Sequence, residues 1–381
     1  DSAMHHPAYL AKQYESQKMA ALQKTAWDPG ALAVTGEFGQ INSIERDQKI
    51  VISQEFELPF TYIRKKQYGK AETQSAIYRR DYAGLSLRRE LLTLYAAIAA
   101  SEARLKLLND ADSLYRLFSA KSEEQFRAGM VNATEQAYAG LSSATWQMGN
   151  KEETTHYQQM IIQFHMLTGL SENYLPRTND FDPEQLYGIP DTTAGIEAHP
   201  LMKAATTNKT AAHARYQYEL AQNWPGFNIG YFSQTIKGWQ LTGTSENYYD
   251  GSDRFNGIQA GIRIPLYRNV VRGAVKSAKM DEAILRQTER ETALQLQQQL
   301  LETKLRLHAT GEKLQWYTQK GLAYANTIES DAGRRLINGD IDYLQWTLLI
   351  SKAIETREQY LETLFQYRET YINYQSLTGK L

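Results

Sequence analysis

Cysteine is absent from the 381 residues. That excludes disulfides, thiolate metal sites and a cysteine nucleophile, and it fits an oxidising compartment. Prolines number only 9 and sit in a few places. The proline-free tracts between them leave room for long helices. No run of about 18 apolar residues occurs, so no transmembrane helix is expected. A membrane barrel of short, half-apolar strands is untouched by that test. Neither sign of charge dominates, with 42 Lys and Arg against 43 Asp and Glu, which gives no footing for a nucleic-acid partner. The opening Asp1-Ser2-Ala3-Met4 does not form a signal peptide, so the chain reads as cytoplasmic, processed or excised. Gly-x-Ser-x-Gly, Walker A and G-x-G-x-x-G patterns are missing. The histidines lack H-x-x-x-H spacing. We therefore expect no enzyme, no cofactor and no metal site.

What is present begins with strict alternation. From Ala31 to Gln40, Leu32, Val34 and Phe38 share one face, and Ala33, Thr35 and Glu37 the other. After a polar turn at Ser43 to Asp47, Ile50, Ile52, Phe56 and Leu58 oppose Val51, Ser53, Glu55 and Glu57, up to Pro59. Period two predicts a β-hairpin. A second hairpin follows Trp224-Pro225-Gly226: Phe227, Ile229 and Tyr231 alternate with Asn228 and Gly230, and Ile258, Ala260, Ile262 and Ile264 with Gln259, Gly261 and Arg263. The Gly-, Tyr- and Asn-rich stretch between them, about 237–254, reads as a loop. Nearly everything else carries a helical stripe. Tracts are expected at about 5–26, 62–119, 134–167, 199–222, 270–336 and 343–376, with a Pro-rich linker at 171–198. A tract of roughly 65 residues spans about 100 Å, and helices so long point to a coiled-coil-like assembly.

The two halves repeat their landmarks in order. His6-Pro7 matches His199-Pro200, Trp27-Asp28-Pro29-Gly30 matches Trp224-Pro225-Gly226, and Pro59 matches Pro265. Gly129 matches Gly339, and Leu167-Thr168-Gly169 matches Leu377-Thr378-Gly379. Duplication is the better account, with one unit at 1–187 and a second at 188–381 forming one intertwined domain. A lone hairpin is marginal in water, and four strands do not close a barrel of the usual size. Several chains are therefore expected to contribute; three would supply twelve strands. The polar faces, with Glu55, Glu57 and Arg263 as lumen charges, suit water, and the opposite faces suit lipid.

Gly261-Ile262-Arg263-Ile264-Pro265-Leu266 is a strand running into Pro-Leu ahead of a long helix. Leu336-Ile337-Asn338-Gly339-Asp340-Ile341-Asp342-Tyr343-Leu344 and Gln125-Phe126-Arg127-Ala128-Gly129-Met130-Val131 occupy equivalent places in the two halves. With the closing Leu377-Thr378-Gly379, these stretches resemble the TolC-like outer-membrane efflux family. The resemblance implies a mainly α fold with a small β part. Long helical hairpins form a periplasmic tube, and four strands per chain join a shared twelve-stranded barrel. It implies a homotrimer in the Gram-negative outer membrane, a periplasmic adaptor and an inner-membrane pump. Trp27-Asp28-Pro29-Gly30, Gly39-Gln40-Ile41-Asn42-Ser43 and Ile52-Ser53-Gln54-Glu55-Phe56 look like the heavy-metal or cation branch. The implied adaptor-docking tips are Ala128, Gly129, Met130, Asn338, Gly339 and Asp340. The candidates for a constriction are Glu135, Asp342 and Gln345, although Gln345 and Leu348 stand where relatives carry acids. The lipid-bearing cysteine of many relatives has no counterpart. The competing reading is a soluble trimeric coiled-coil scaffold or stalk without channel activity.

Overall fold

The computed structural model describes residues 5–171, 195–264 and 268–381. The Pro-rich linker expected at 171–198 lies mostly outside them, as do Pro265 and the boundary between residues 187 and 188.

The first half runs α1 (Pro7–Lys24), β1 (Ala33–Gly39), β2 (Asp47–Phe56), α2 (Pro59–Arg127) and α3 (Ala133–Thr168). The second runs, after a short 3-10 turn, α4 (Pro200–Ala221), β3 (Gly226–Gln234), β4 (Gly238–Thr242), β5 (Ser245–Tyr249), β6 (Phe255–Arg263) and α5 (Arg268–Trp316). A π-turn (Tyr317–Gly321) then leads into α6 (Leu322–Asn338) and α7 (Tyr343–Leu377). Helices α1, α2 and α4 each open on a proline, where the missing N–H costs nothing and the fixed φ already suits the helix. With 69 residues, α2 is about 100 Å of helix. Among the described residues no helix is apolar enough to cross a membrane.

Four expectations need correction. The stretch 237–254 is not loop throughout: β4 and β5 pair as a second, separate hairpin closed at Thr242 and Ser245. Gly243, at φ +70°, takes the left-handed turn that a side chain would oppose. The tract at 270–336 is broken by the π-turn, which periodicity does not reveal. Strand β2 ends at Phe56, so Glu57 lies beyond it, where its backbone N–H donates to the Tyr62 hydroxyl at 3.0 Å. Helix α2 also runs eight residues past its expected end at 119, reaching Arg127.

The chain divides into two compact units, each drawing on both halves. One comprises Gln13–Arg79 and Leu201–Thr292. It holds a four-stranded antiparallel sheet in the order β1-β2-β3-β6. The two hairpins thus pair through β2 and β3, each answering the other's need for more strands. Aromatic contacts fasten helix starts to strand entries. Trp27 packs on Tyr62 at 4.7 Å between centroids, and Trp224 sets its edge on Phe60 at 5.7 Å. Lys209 of α4 donates to Glu289 of α5 at 2.6 Å, which holds the Glu289 carboxyl below its usual range.

The other unit comprises Asp1–Lys12, Arg80–Pro200 and Ala293–Leu381. Its core is three buried clusters. Leu87, Leu94 and Ile98 of α2 meet Met160, Phe164 and Leu167 of α3. Leu307 and Leu314 of α5 meet Leu364, Tyr367 and Tyr374 of α7. The third, nearest the helical tips, joins Ala111 and Tyr115 to Ala332, Trp346, Ile350 and Ile354.

Candidate functional site

Register turns the alternation of the sequence into two continuous faces. Val34 pairs with Ile52, Ile52 with Tyr231, and Tyr231 with Ile258, so one row of apolar side chains crosses all four strands. Phe56, Phe227 and Ile262 form a parallel row. These residues lie open: Val34 is 66 %, Ile258 81 % and Ile262 65 % exposed. An apolar patch of this extent is rare on a water-facing surface.

The opposite face is mostly polar. Thr35, Val51, Phe232 and Gly257 make one of its rows, so it is not polar throughout. Ala33, Ser53, Gly230 and Gln259 make another. Two of the expected lumen charges come together on this face. Arg263 Nη1 donates to Glu55 Oε2 at 2.5 Å, from β6 to β2, across β3. Gly226 permits the reach: a Cβ there would sit 3.3 Å from Arg263 Nη2. Glu57, past the strand end, is not part of the pair. Both paired side chains are more than half exposed, so the pair contributes little stability, on the order of 0–1 kcal/mol. Its effect is on the local field, where two opposite charges largely cancel.

At the rim of the sheet stands a residue that pattern reading missed. Asp47, 1 % exposed, accepts from the Asn42 N–H at 3.1 Å, the Ser43 hydroxyl at 3.0 Å and the Lys237 N–H at 2.9 Å. The Thr235 hydroxyl donates to it as well, at 3.2 Å. One carboxylate therefore ties the β1–β2 turn to the link between β3 and β4.

The two tips share one geometry. Gly129 has φ +71° and Gly339 φ +78°, the left-handed cap that ends a helix. The Met130 N–H donates to Gln125 O at 2.9 Å, and the Asp340 N–H to Arg335 O at 2.9 Å, the same six-residue loop in each. Three residues past each glycine stands an N-cap. Asn132 Oδ1 accepts from the Glu135 N–H at 2.9 Å, and Asp342 Oδ1 from the Gln345 N–H at 2.7 Å. The expected constriction residues Glu135, Asp342 and Gln345 are thus all parts of helix caps. Gln345 returns the bond to the Asp342 N–H, completing a capping box. Around the glycines the side chains stand in the open: nothing lies within 4 Å of an added Cβ at Gly129 or Gly339, and Met130 is 75 % exposed.

Behind the tips lies an aromatic cluster that the sequence reading did not single out. Tyr115 is fully buried, stacks on Trp146 at 5.6 Å and tilts against Trp346 at 6.2 Å. Phe118 lies 3.7 Å from Trp346 and 5.1 Å from Tyr343. The Tyr115 hydroxyl shares a 2.8 Å hydrogen bond with the Ser351 hydroxyl. Burial pushes the phenols of Tyr115 and Tyr343 above their usual range, so both stay neutral. Aromatic positions at helical spacing on α2 and α7 are the signal that would have found the cluster.

No family model and no curated protein matches the chain. Solved structures do. The outer membrane protein VceC from Vibrio cholerae aligns at TM-score 0.78 and 14% identity over 99% of this chain and 94% of that one. The outer membrane channel CmeC of Campylobacter jejuni aligns at TM-score 0.80 and 13% identity, over 100% and 84%. CusC, whose structures follow folding and transmembrane channel formation, aligns at TM-score 0.81 and 15% identity, over 99% and 90%. The fold is therefore TolC-like: mainly α, with long helical hairpins and a few strands per chain.

Proposed function

We propose that this chain is the outer-membrane exit duct of an efflux system, working as a homotrimer. The observation that carries the reading is the sheet. It has four strands, outer edges at β1 and β6 with no partner strand among the described residues, and one exposed apolar face. Long open edges recruit further strands, and a ring of three copies, β1 to β6, makes a closed barrel of twelve strands. Lipid covers the row Val34, Ile52, Tyr231, Ile258. Glu55 and Arg263 face the water inside, with Glu57 just below them. The helical hairpins continue the barrel as a tube through the periplasm of a Gram-negative cell.

The tips at Ala128, Gly129 and Met130, and at Asn338, Gly339 and Asp340, are the docking surface for a periplasmic adaptor. The adaptor couples the duct to an inner-membrane pump. Transport through the duct is passive, and Glu135, Asp342 and Gln345, fixed by their caps, narrow its end. The two halves, 1–187 and 188–381, are copies of one unit in one intertwined domain. Placement in the heavy-metal or cation branch is supported by the sequence of the first hairpin and of Trp27-Asp28-Pro29-Gly30 ahead of it.

The test is current through a planar bilayer. The purified oligomer is expected to need detergent and to conduct ions. An oligomer that stays soluble without detergent and passes no current overturns the reading in favour of a stalk. Gly129→Arg and Gly339→Arg should each abolish efflux while trimers still reach the membrane; full efflux from both sinks the docking assignment.

A further inference from the structure

Both long helices that leave the sheet begin basic. The chain as a whole is balanced, at a formal net charge of -1. Between Glu57 and Glu72, however, every charge is positive: Arg64, Lys65, Lys66 and Lys70. The same holds between Asp253 and Asp281, with Arg272, Lys276 and Lys279 on the opening turns of α5. Neither helix has an acid in its first turn, where the helix dipole favours one.

The pattern is duplicated. Pro59 and Pro265 are 206 residues apart, and the same offset carries Lys66 onto Arg272 and Lys70 onto Lys276. Each pair is spaced i,i+4, so two like charges share a helix face and repel. All four side chains are exposed, and none has an ion-pair partner among the described residues. Other basic groups of the same unit are answered: Lys209 by Glu289, and Arg215 by Asp281 at 3.3 Å. Two copies of an unanswered pair need an anion from outside the chain.

Their position suits a membrane surface. The apolar row Phe56, Phe227, Ile262 lies at the end of the sheet from which α2 departs. Ahead of the strands that start at this end stand Trp27 and Trp224, 69 % and 61 % exposed. Tryptophan collects where hydrocarbon gives way to headgroups. Lys66 and Lys70 follow about 10 and 16 Å along α2 from Pro59. Helical side chains lean towards the N-terminus, here back towards the sheet. Ile63, also exposed, lies on the same stripe of α2 as both lysines.

We propose that Lys66, Lys70, Arg272 and Lys276 bind the phosphates of anionic phospholipid headgroups in the periplasmic leaflet, with Trp27 and Trp224 seated beside them in the same interface. The proposal rests on the duct reading above, which sets this end of the sheet at that leaflet.

Tryptophan quenching tests it. The full chain is reconstituted in phosphatidylcholine bilayers containing a rising share of brominated phosphatidylglycerol or, in parallel, of brominated phosphatidylcholine. Subtracting the Trp27→Phe/Trp224→Phe variant isolates the two residues. Their quenching is expected to report an affinity for phosphatidylglycerol at least about fivefold higher, the worth of one basic residue at an anionic surface. Lys66→Gln, Lys70→Gln, Arg272→Gln and Lys276→Gln combined should bring the two lipids level. So should about 1 M salt on the unsubstituted chain. In neutral detergent the fourfold variant should melt no lower than the unsubstituted chain; a clear drop assigns the four residues a structural role and overturns the proposal. Equal quenching by the two lipids, from a protein that conducts, overturns it and leaves the duct reading standing. Quenching by neither lipid, with no current, overturns the duct reading itself. Loss of the preference on adding inorganic phosphate, but not chloride of equal ionic strength, assigns the site to a free anion and overturns the lipid. An altered ion selectivity in the fourfold variant, with lipid preference unchanged, puts the charges in the lumen and overturns the proposal too.

Discussion

The two halves of the chain carry the same elements in the same order and part company at identifiable places. Helices α3 and α7 begin 210 residues apart, at Ala133 and Tyr343, and the tip glycines keep the same offset. Ahead of the hairpins the offset is smaller: Gly30 and Gly226 are 196 apart. The difference enters largely between β3 and β6, where the second half inserts the β4–β5 hairpin. That insert presents Trp239, Leu241 and Tyr248, all more than half exposed, where the first half has only a short polar turn. The π-turn is the other departure. Both lie in the second half, while the first has the shorter connection and the continuous helix. The comparison teaches that the shared parts are those that close structure, namely caps, helix starts and strand pairs. The unshared parts are additions on that frame.

The largest test of this asymmetry is in the tip cluster. Trp346 is 2 % exposed, whereas Trp146, stacked on the same Tyr115, is only partly buried. Trp346→Ala should cost about 3–5 kcal/mol and Trp146→Ala clearly less, as read by denaturant unfolding. Equal losses would mean that the two halves support the tips alike.

A second test uses pH. His199 is buried, and burial, with Arg89 nearby, lowers its pKa from 6.5 to about 4. His6, at the matching helix start, is half-exposed. Above pH 6.5 the His199 imidazole is neutral in both states and adds no pH dependence. As pH falls from 6.5 towards 4 the unfolded chain takes up the proton and the folded chain does not, so stability drops by up to about 3 kcal/mol. Below that window no further loss comes from this group. His199→Gln should flatten the melting temperature over that range. A slope that persists in the variant assigns it elsewhere.

The tips themselves should behave as equals. Asn132→Ala and Asp342→Ala are each expected to cost about 1 kcal/mol, and thermal unfolding that finds only one of them costly would separate the two caps. The smallest effect belongs to the Glu55–Arg263 pair. Arg263→Gln should change stability by less than about 1 kcal/mol yet shift the cation preference of the current, because it leaves Glu55 uncompensated.

Much of this was legible along the chain. Alternation located β1, β2, β3 and β6, and stripes located α3 and α7 to within a residue of their observed ends, because a period is a local property of side-chain order. The tip glycines were legible because no other residue takes a positive φ cheaply. The capping role of Glu135, Asp342 and Gln345 was missed, although the Asn-x-x-Glu and Asp-x-x-Gln spacings were there to read. The β4–β5 hairpin was hidden by a composition rich in Gly, Tyr and Asn, which serves turns and edge strands equally.

By itself, then, the sequence determined the four long strands, the ends of α3 and α7, the left-handed glycines at the tips, and that one face of every long strand is apolar. Each of these follows from neighbours a few residues apart. Tertiary structure alone decided the pairing of β2 with β3, the bond from Arg263 across Gly226 to Glu55, the four bonds gathered on Asp47, and the π-turn between two packed clusters. Those depend on groups up to 208 positions apart meeting in space, and no local period encodes such distances.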